Sequence, residues 1–75
     1  MKTRQLEVFH AIYRKGTITE AARYLNVSQP SISTVLAHTE HQLGFLLFSR
    51  IKGRLFPTPE ADLIFLKADK INKEL

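Results

Sequence analysis

Apolar residues recur with a helical step in four parts of this chain, and a fifth part reads as short strands. Between Arg4 and Lys15, Leu6, Phe9, Ile12 and Tyr13 share one helical face, with Val8 beside it. Gly16 is placed to stop that helix. Thr17 precedes Glu20 by three residues. At that spacing a threonine hydroxyl can accept from the glutamate N–H while the glutamate side chain reaches back. The second helix then has Ile18, Ala21, Ala22 and Leu25 inside and ends at Asn26. Ser28 caps a third helix, with Pro30 in its first turn, where a missing N–H costs nothing. Ile32, Leu36, Thr39 and Leu43 follow at steps of four, three and four, Val35 lies alongside, and Gly44 closes the helix.

The stretch LLFSRIKGRLFP, residues 46–57, reads as two strands around Lys52-Gly53. Pro57 and Pro59 end the second strand, and Thr58 caps a fourth helix that has no stop signal by Leu75. In that helix Ile64, Ala68, Ile71 and Leu75 fall at steps of four, three and four. Leu63 and Leu66 widen the stripe, and Phe65 adds apolar area on its flank. So apolar a helix cannot bury every face on a three-helix core of this size. The stripe (Leu63, Ile64, Ala68, Ile71, Leu75) is therefore expected to pair with a second copy of the chain. On another face, Leu63 and Leu66 are expected to cover Phe9 and Ile12 within one chain.

The corner AARYLNVSQPSIS, residues 21–33, joins two short helices through a tight turn. Close crossing calls for a small residue, and Ala22 is placed for it, with Leu25, Val27, Ile32 and Val35 closing a small core. This is helix-turn-helix geometry, and the N-terminal end of its second helix can enter a DNA major groove. The outer face of that helix carries Gln29, Ser31, Ser33 and Thr34, all short and uncharged. Such side chains suit close approach: glutamine pairs with adenine, while hydroxyls and helix N-termini suit phosphate. Arg50, Lys52 and Arg54 flank the glycine turn, where a wing would touch the DNA backbone.

Charge agrees with an anionic partner. The chain of 75 residues has net charge +4. Residues 1–54 hold eight Lys and Arg against Glu7, Glu20 and Glu40, a balance of +5, whereas residues 55–75 balance at −1. There is no cysteine, so disulfide and thiol chemistry are excluded and a reducing cytoplasm fits. No apolar run approaches membrane-spanning length, and MKTRQLEVFH lacks a signal peptide's apolar block. His38 and His41 stand three apart with His10 elsewhere, too few ligands for a zinc site. No phosphate-cradling glycine loop is present, and a domain this small has no room for a nucleophile, base and substrate pocket. An enzyme is not expected.

At RQLEVFHAI (4–12), GTITEAARYLNVSQPSIS (16–33), EHQLGFLLFSR (40–50) and PTPEA (57–61), the chain resembles LysR-type transcriptional regulators in their N-terminal DNA-binding domain. The resemblance runs over nearly the whole chain in one register. It implies a mainly α fold: a winged helix-turn-helix, with a three-helix core and a two-stranded wing, over residues 1–58, followed by a linker and dimerisation helix from 59 to 75. It implies double-stranded DNA and a homodimer as partners, with tetramers of the full-length protein left open, and an interrupted palindrome as target. A small-molecule inducer would bind a C-terminal domain that lies outside this chain, which is then expected to be a fragment; no cofactor is expected within it. Residue by residue, Thr19 and Ser31 match positions that approach phosphate. Gln29, Pro30 and Ser33 match the base-facing start of the recognition helix, which Ser28 caps. Arg50 follows the first wing strand, with Lys52 and Arg54 in the wing. Thr34 and Val35 depart from the family, which often has arginine and then a polar residue there. Residues 29–49 contain no Lys or Arg, and Glu40 is their only charge. Attraction for phosphate is then expected mainly from Arg4, Arg23 and the wing. Ala61 also departs, standing where the family usually has glycine. The alternatives are a winged helix that pairs with another chain through its fourth helix and does not grip DNA, and, nearer, a DNA-binding winged helix of another family.

Overall fold

The computed structural model describes the backbone of residues 1–74 and the side chains of residues 1–66. The pairing positions Ala68, Ile71 and Leu75 therefore lie outside the described side chains. In chain order the elements are α1 (Thr3–Lys15), α2 (Ile18–Leu25), α3 (Gln29–Leu43), β1 (Phe48–Ile51), β2 (Arg54–Pro57) and α4 (Pro59–Glu74).

Each helix ends where local chemistry dictates. Gly16 takes φ 81°, a left-handed conformation, and its N–H donates to the Ile12 carbonyl at 2.8 Å. Asn26, one of the few residue types that tolerate this region, closes α2 at φ 59°. The Thr17 hydroxyl accepts from the Glu20 N–H at 3.1 Å. The return half of that box does not form, because the Glu20 carboxylate turns to Arg23, one turn ahead, at 3.2 Å. Ser28 accepts from the Ser31 N–H at 3.3 Å and starts α3.

The core gathers Val8, Phe9 and Ile12 of α1, Ala21 and Ala22 of α2, and Ile32 and Leu36 of α3. The buried face of α1 is broader than its Leu6–Phe9–Ile12–Tyr13 stripe suggests. Val8 and Ala11 are buried, while Leu6 and Tyr13 are half-buried. The reason is that α1 packs on α2, α3 and β2 at once. Thr39 sits in the buried stripe of α3, and its hydroxyl donates to the Val35 carbonyl at 2.7 Å, so no polar group is stranded.

β1 and β2 pair antiparallel, with Phe48 opposite Pro57 and Ile51 opposite Arg54. The Leu55 N–H donates to the Gly16 carbonyl at 2.8 Å, which tacks the hairpin onto the corner between α1 and α2. Thr58 then joins the wing to α4. Its hydroxyl donates to the Leu46 carbonyl at 2.8 Å and accepts from the Ala61 N–H at 3.3 Å. The start of α4 is thus fixed with alanine at residue 61, whose methyl is fully buried.

Ala61, Ile64 and Phe65, spaced as i, i+3 and i+4, form the inner stripe of α4. Leu63 and Leu66 fall outside it, each 63% exposed. The expectation that these two leucines cover Phe9 and Ile12 is therefore corrected: Ile64 and Phe65 pack on the core instead. Phe65 stacks on Tyr13, with ring centroids 3.9 Å apart and planes within 4°. His10 meets Phe65 edge-on at 5.5 Å, and the Arg14 guanidinium lies 5.3 Å from its centroid.

The Tyr13 hydroxyl donates to the Asp62 carboxylate at 2.6 Å. That bond, then desolvation, then the nearby negative charge raise the Tyr13 pKa above its ordinary 10.0. A raised value means that the fold favours the neutral phenol. The contribution is fully present below about pH 10 and is lost as pH climbs through the raised value. Thermal melts taken into alkali should show Tm falling above about pH 10. Tyr13→Phe should melt lower at neutral pH and lose part of that alkaline fall; a Tyr13→Phe curve parallel to the parent's would remove this linkage.

Candidate nucleic-acid interface

One face of the N-terminal half of α3 stands clear of the core. Ser28, Gln29, Pro30, Ser31 and Thr34 are exposed, while Ile32 between them is wholly buried. Ser33 is half-buried rather than exposed, because one helical step places it on the edge of the buried stripe, next to Ile32. The exposed face continues past the expected residues through Ala37, His38 and His41. Successive helical turns bring these under Thr34, so the usable surface is longer than the first turn. The periodicity of the buried residues already implied this face by subtraction.

The caps also shape the surface. The Ser28 and Ser31 hydroxyls share a hydrogen bond of 2.8 Å. A hydroxyl has one donor and two acceptor positions, so each keeps capacity for an outside oxygen. Thr19 is exposed in the first turn of α2. The free N–H groups and partial positive charge of both helix starts favour an anion nearby.

In the wing the Lys52-Gly53 pair makes the turn, at φ 50° and 80°. Two consecutive left-handed residues make the two-residue hairpin loop whose twist matches its strands. Arg50, Lys52 and Arg54 are all exposed but do not share a face. Arg50 lies opposite Leu55, on the side of the buried Phe48 and Leu55, whereas Arg54 lies opposite Ile51 on the other side. Lys52 occupies the tip. The Arg54 guanidinium folds back over Gly16, so that a Cβ there would meet Nη2 at 2.5 Å. It thereby lies at the C-terminal end of α1, where the helix dipole is negative.

One residue that the sequence pattern did not single out for a role braces the arrangement. The Glu40 carboxylate accepts from the Leu47 N–H at 2.7 Å and from the Phe48 N–H at 3.3 Å. It ties the last turn of α3 to the entry of β1. Its one sequence signal was being the only charge in residues 29–49. Arg23 is occupied by Glu20, and Arg4 pairs with Glu7 at 3.3 Å, both on the surface. Among the described residues no three His, Cys, Asp or Glu side chains converge to hold a metal ion. No described helix is long and apolar enough to cross a membrane.

Residues 3–62 match the family described as bacterial regulatory helix-turn-helix protein, lysR family. The HTH-type transcriptional regulator DgcR of Pseudoalteromonas sp is 59% identical over 75 residues, all of this chain and 26% of that protein. The transcriptional activator protein LysR of Escherichia coli K12 is 45% identical over 62 residues, 83% of this chain and 20% of that protein. The chain thus spans about a quarter of the length of these curated relatives. Among solved structures, the CbnR DNA-binding domain in its DNA complex superposes with TM-score 0.88 at 32% identity, covering 97% of this chain and 84% of that one. The BenM DNA-binding domain on the benA site 1 DNA gives TM-score 0.88 at 30% identity, covering 99% and 86%.

Proposed function

The chain belongs to the lysR family of bacterial regulatory helix-turn-helix proteins, and from that premise we propose that it is the sequence-specific, double-stranded DNA-binding domain of a transcriptional regulator. The observation that carries the reading is the exposed start of α3. There Gln29, Ser31 and Thr34 stand in water on a helix whose opposite side is buried. In this reading α3 enters the major groove, and Gln29 reads a base edge, with Ser33 beside it on the flank. Ser28, Pro30 and Thr34 line the approach, and Thr19 and Ser31 meet phosphate. Arg50, Lys52 and Arg54 contact the backbone or minor groove without sequence preference. The two solved DNA complexes with the same fold support this reading, since their proteins carry the same elements on DNA.

Two copies joined through α4 would set two recognition helices against an interrupted palindrome. The whole regulator would work in the cytoplasm, with a small-molecule inducer bound by a separate domain. Its relatives are transcriptional regulators, and regulation by binding rather than catalysis is the role proposed here.

The test is binding to duplexes selected from random DNA, measured across a salt series. Affinity should fall steeply with salt, because bound Lys and Arg release counterions. Gln29→Ala should lose about 1–3 kcal/mol of discrimination at a single base pair. A parent that selects no sequence and binds without salt dependence would instead favour a protein-interaction module.

A further inference from the structure

Building on the DNA-binding reading, we infer that Arg4, with Lys2 beside it, is a DNA phosphate contact that supplies the positive charge α3 lacks. Residues 29–49 contain no Lys or Arg. A helix seated between two rows of phosphates would then bring no cation of its own. The start of α1 lies next to it. Arg4 lines a shallow depression with Pro30, Ser31, Thr34 and Val35. An adjoining depression sets Lys2 and Arg4 beside Thr34 and His38. The α3 residues that these cations border are thus mainly those of its exposed outer face.

The placement is built into the fold. The Lys2 N–H donates to the Gln5 side-chain carbonyl at 2.9 Å. The Gln5 amide in turn donates to the Gln42 side-chain oxygen at 2.7 Å, across 37 positions of sequence. This relay pins the first turn of α1 against the far half of α3, and Gln5 is its positioning residue. Arg4 itself is held lightly. Its partner is Glu7 at 3.3 Å, both side chains half exposed. Surface pairs of this kind are weak, so a phosphate can displace the carboxylate and take the guanidinium fork in two parallel hydrogen bonds. Of Arg4 and Arg23, the two arginines expected to serve outside the wing, Arg23 stands on α2 in a surface pair with Glu20 as exposed as that of Arg4, but it lines neither depression. Arg4 is the one bordering the recognition face.

Affinity of Arg4→Ala for the selected duplex, followed across a salt series, tests the inference. The salt slope should shrink by about 0.9, the value for one phosphate, so that affinity at 0.1 M salt falls about eightfold relative to 1 M. The loss should be equal on selected and random duplexes, leaving base preference unchanged. Adding Thr34→Arg to Arg4→Ala should restore the slope, because that side chain starts from the same depression. Glu7→Gln, which frees Arg4, should tighten binding to every sequence. Gln5→Leu should lower the slope with Arg4 intact. If Arg4→Ala melts early, Arg4→Gln, which keeps the stem, is the deciding variant. An unchanged slope in the folded Arg4 variant, alongside a reduced slope in Lys52→Ala, overturns the inference and leaves the DNA-binding reading standing. A flat salt response in the parent overturns that reading itself.

Discussion

Replacing Leu63 and Leu66 together by glutamate is expected to leave the chain folded but monomeric, and to weaken binding to a palindromic site by about two to four orders of magnitude. Both leucines are 63% exposed, so the fold does not depend on burying them. They lie three apart and form an apolar strip on the outside of α4, a surface that water disfavours. A second copy of α4 laid against it would cover the strip and hold two recognition helices on one DNA. Loss of that link makes the second half-site a separate binding event, which is the source of the large factor. Ile64 is a poor choice for the same test. It packs on the core of its own chain, so a charge there would unfold the domain and confuse the result. Sedimentation together with titration of a single half-site separates the outcomes. Half-site affinity should stay within a factor of about two while palindrome affinity collapses. A double variant that sediments as a dimer, like its parent, would remove α4 as the interface.

Glu40→Ala should destabilise the domain by about 2–3 kcal/mol, a fall in Tm on the order of 10–20 °C for a chain this small. The carboxylate receives two backbone N–H groups, from Leu47 and Phe48, and alanine leaves both without it. Hydrogen bonds to a charged acceptor are worth more than neutral ones. Partial exposure lets water recover some of the loss. Glu40→Gln keeps an oxygen in place and should lose about half as much. Because the bond joins α3 to β1, the alanine variant should also loosen the wing. Its DNA affinity should fall alike on all sequences if, as proposed, the wing contacts DNA without base preference. A Tm within about 2 °C of the parent would show that the brace carries no weight.

The elements were legible because burial left regular marks. Ile32, Leu36 and Thr39 repeat at helical steps and are buried as that spacing demands. Gly16, Asn26 and Ser28 announce the ends through backbone chemistry that acts over three or four residues. What the chain hid was phase and long-range contact. Residues 63–66 are four consecutive apolar side chains, and such a run has no period from which to choose an inner face. Only the docking of Ala61 on the core decides it. Ser33 lies between buried Ile32 and exposed Thr34, on the border of the two faces, and apolar spacing does not say on which side of that border a small polar residue falls. The bonds of Glu40 to the β1 entry and of Gln5 to Gln42 join parts of the chain that no local pattern relates. Arg54 bends back because Gly16 offers no side chain in its way, and neither residue signals the other in sequence.

The tip of the wing shows a compromise between stability and charge. Lys52 holds φ 50°, a region where asparagine or glycine rests with less strain. A hairpin shaped for durability alone would carry one of those two at this position. The turn instead accepts the local penalty and presents an ammonium group at its furthest point, on a flexible stem that needs no fixed geometry to meet a phosphate. Strain of this kind is most easily sustained where the surroundings hold the backbone, and here the four-residue strands on either side, anchored through Leu55 to Gly16, do so.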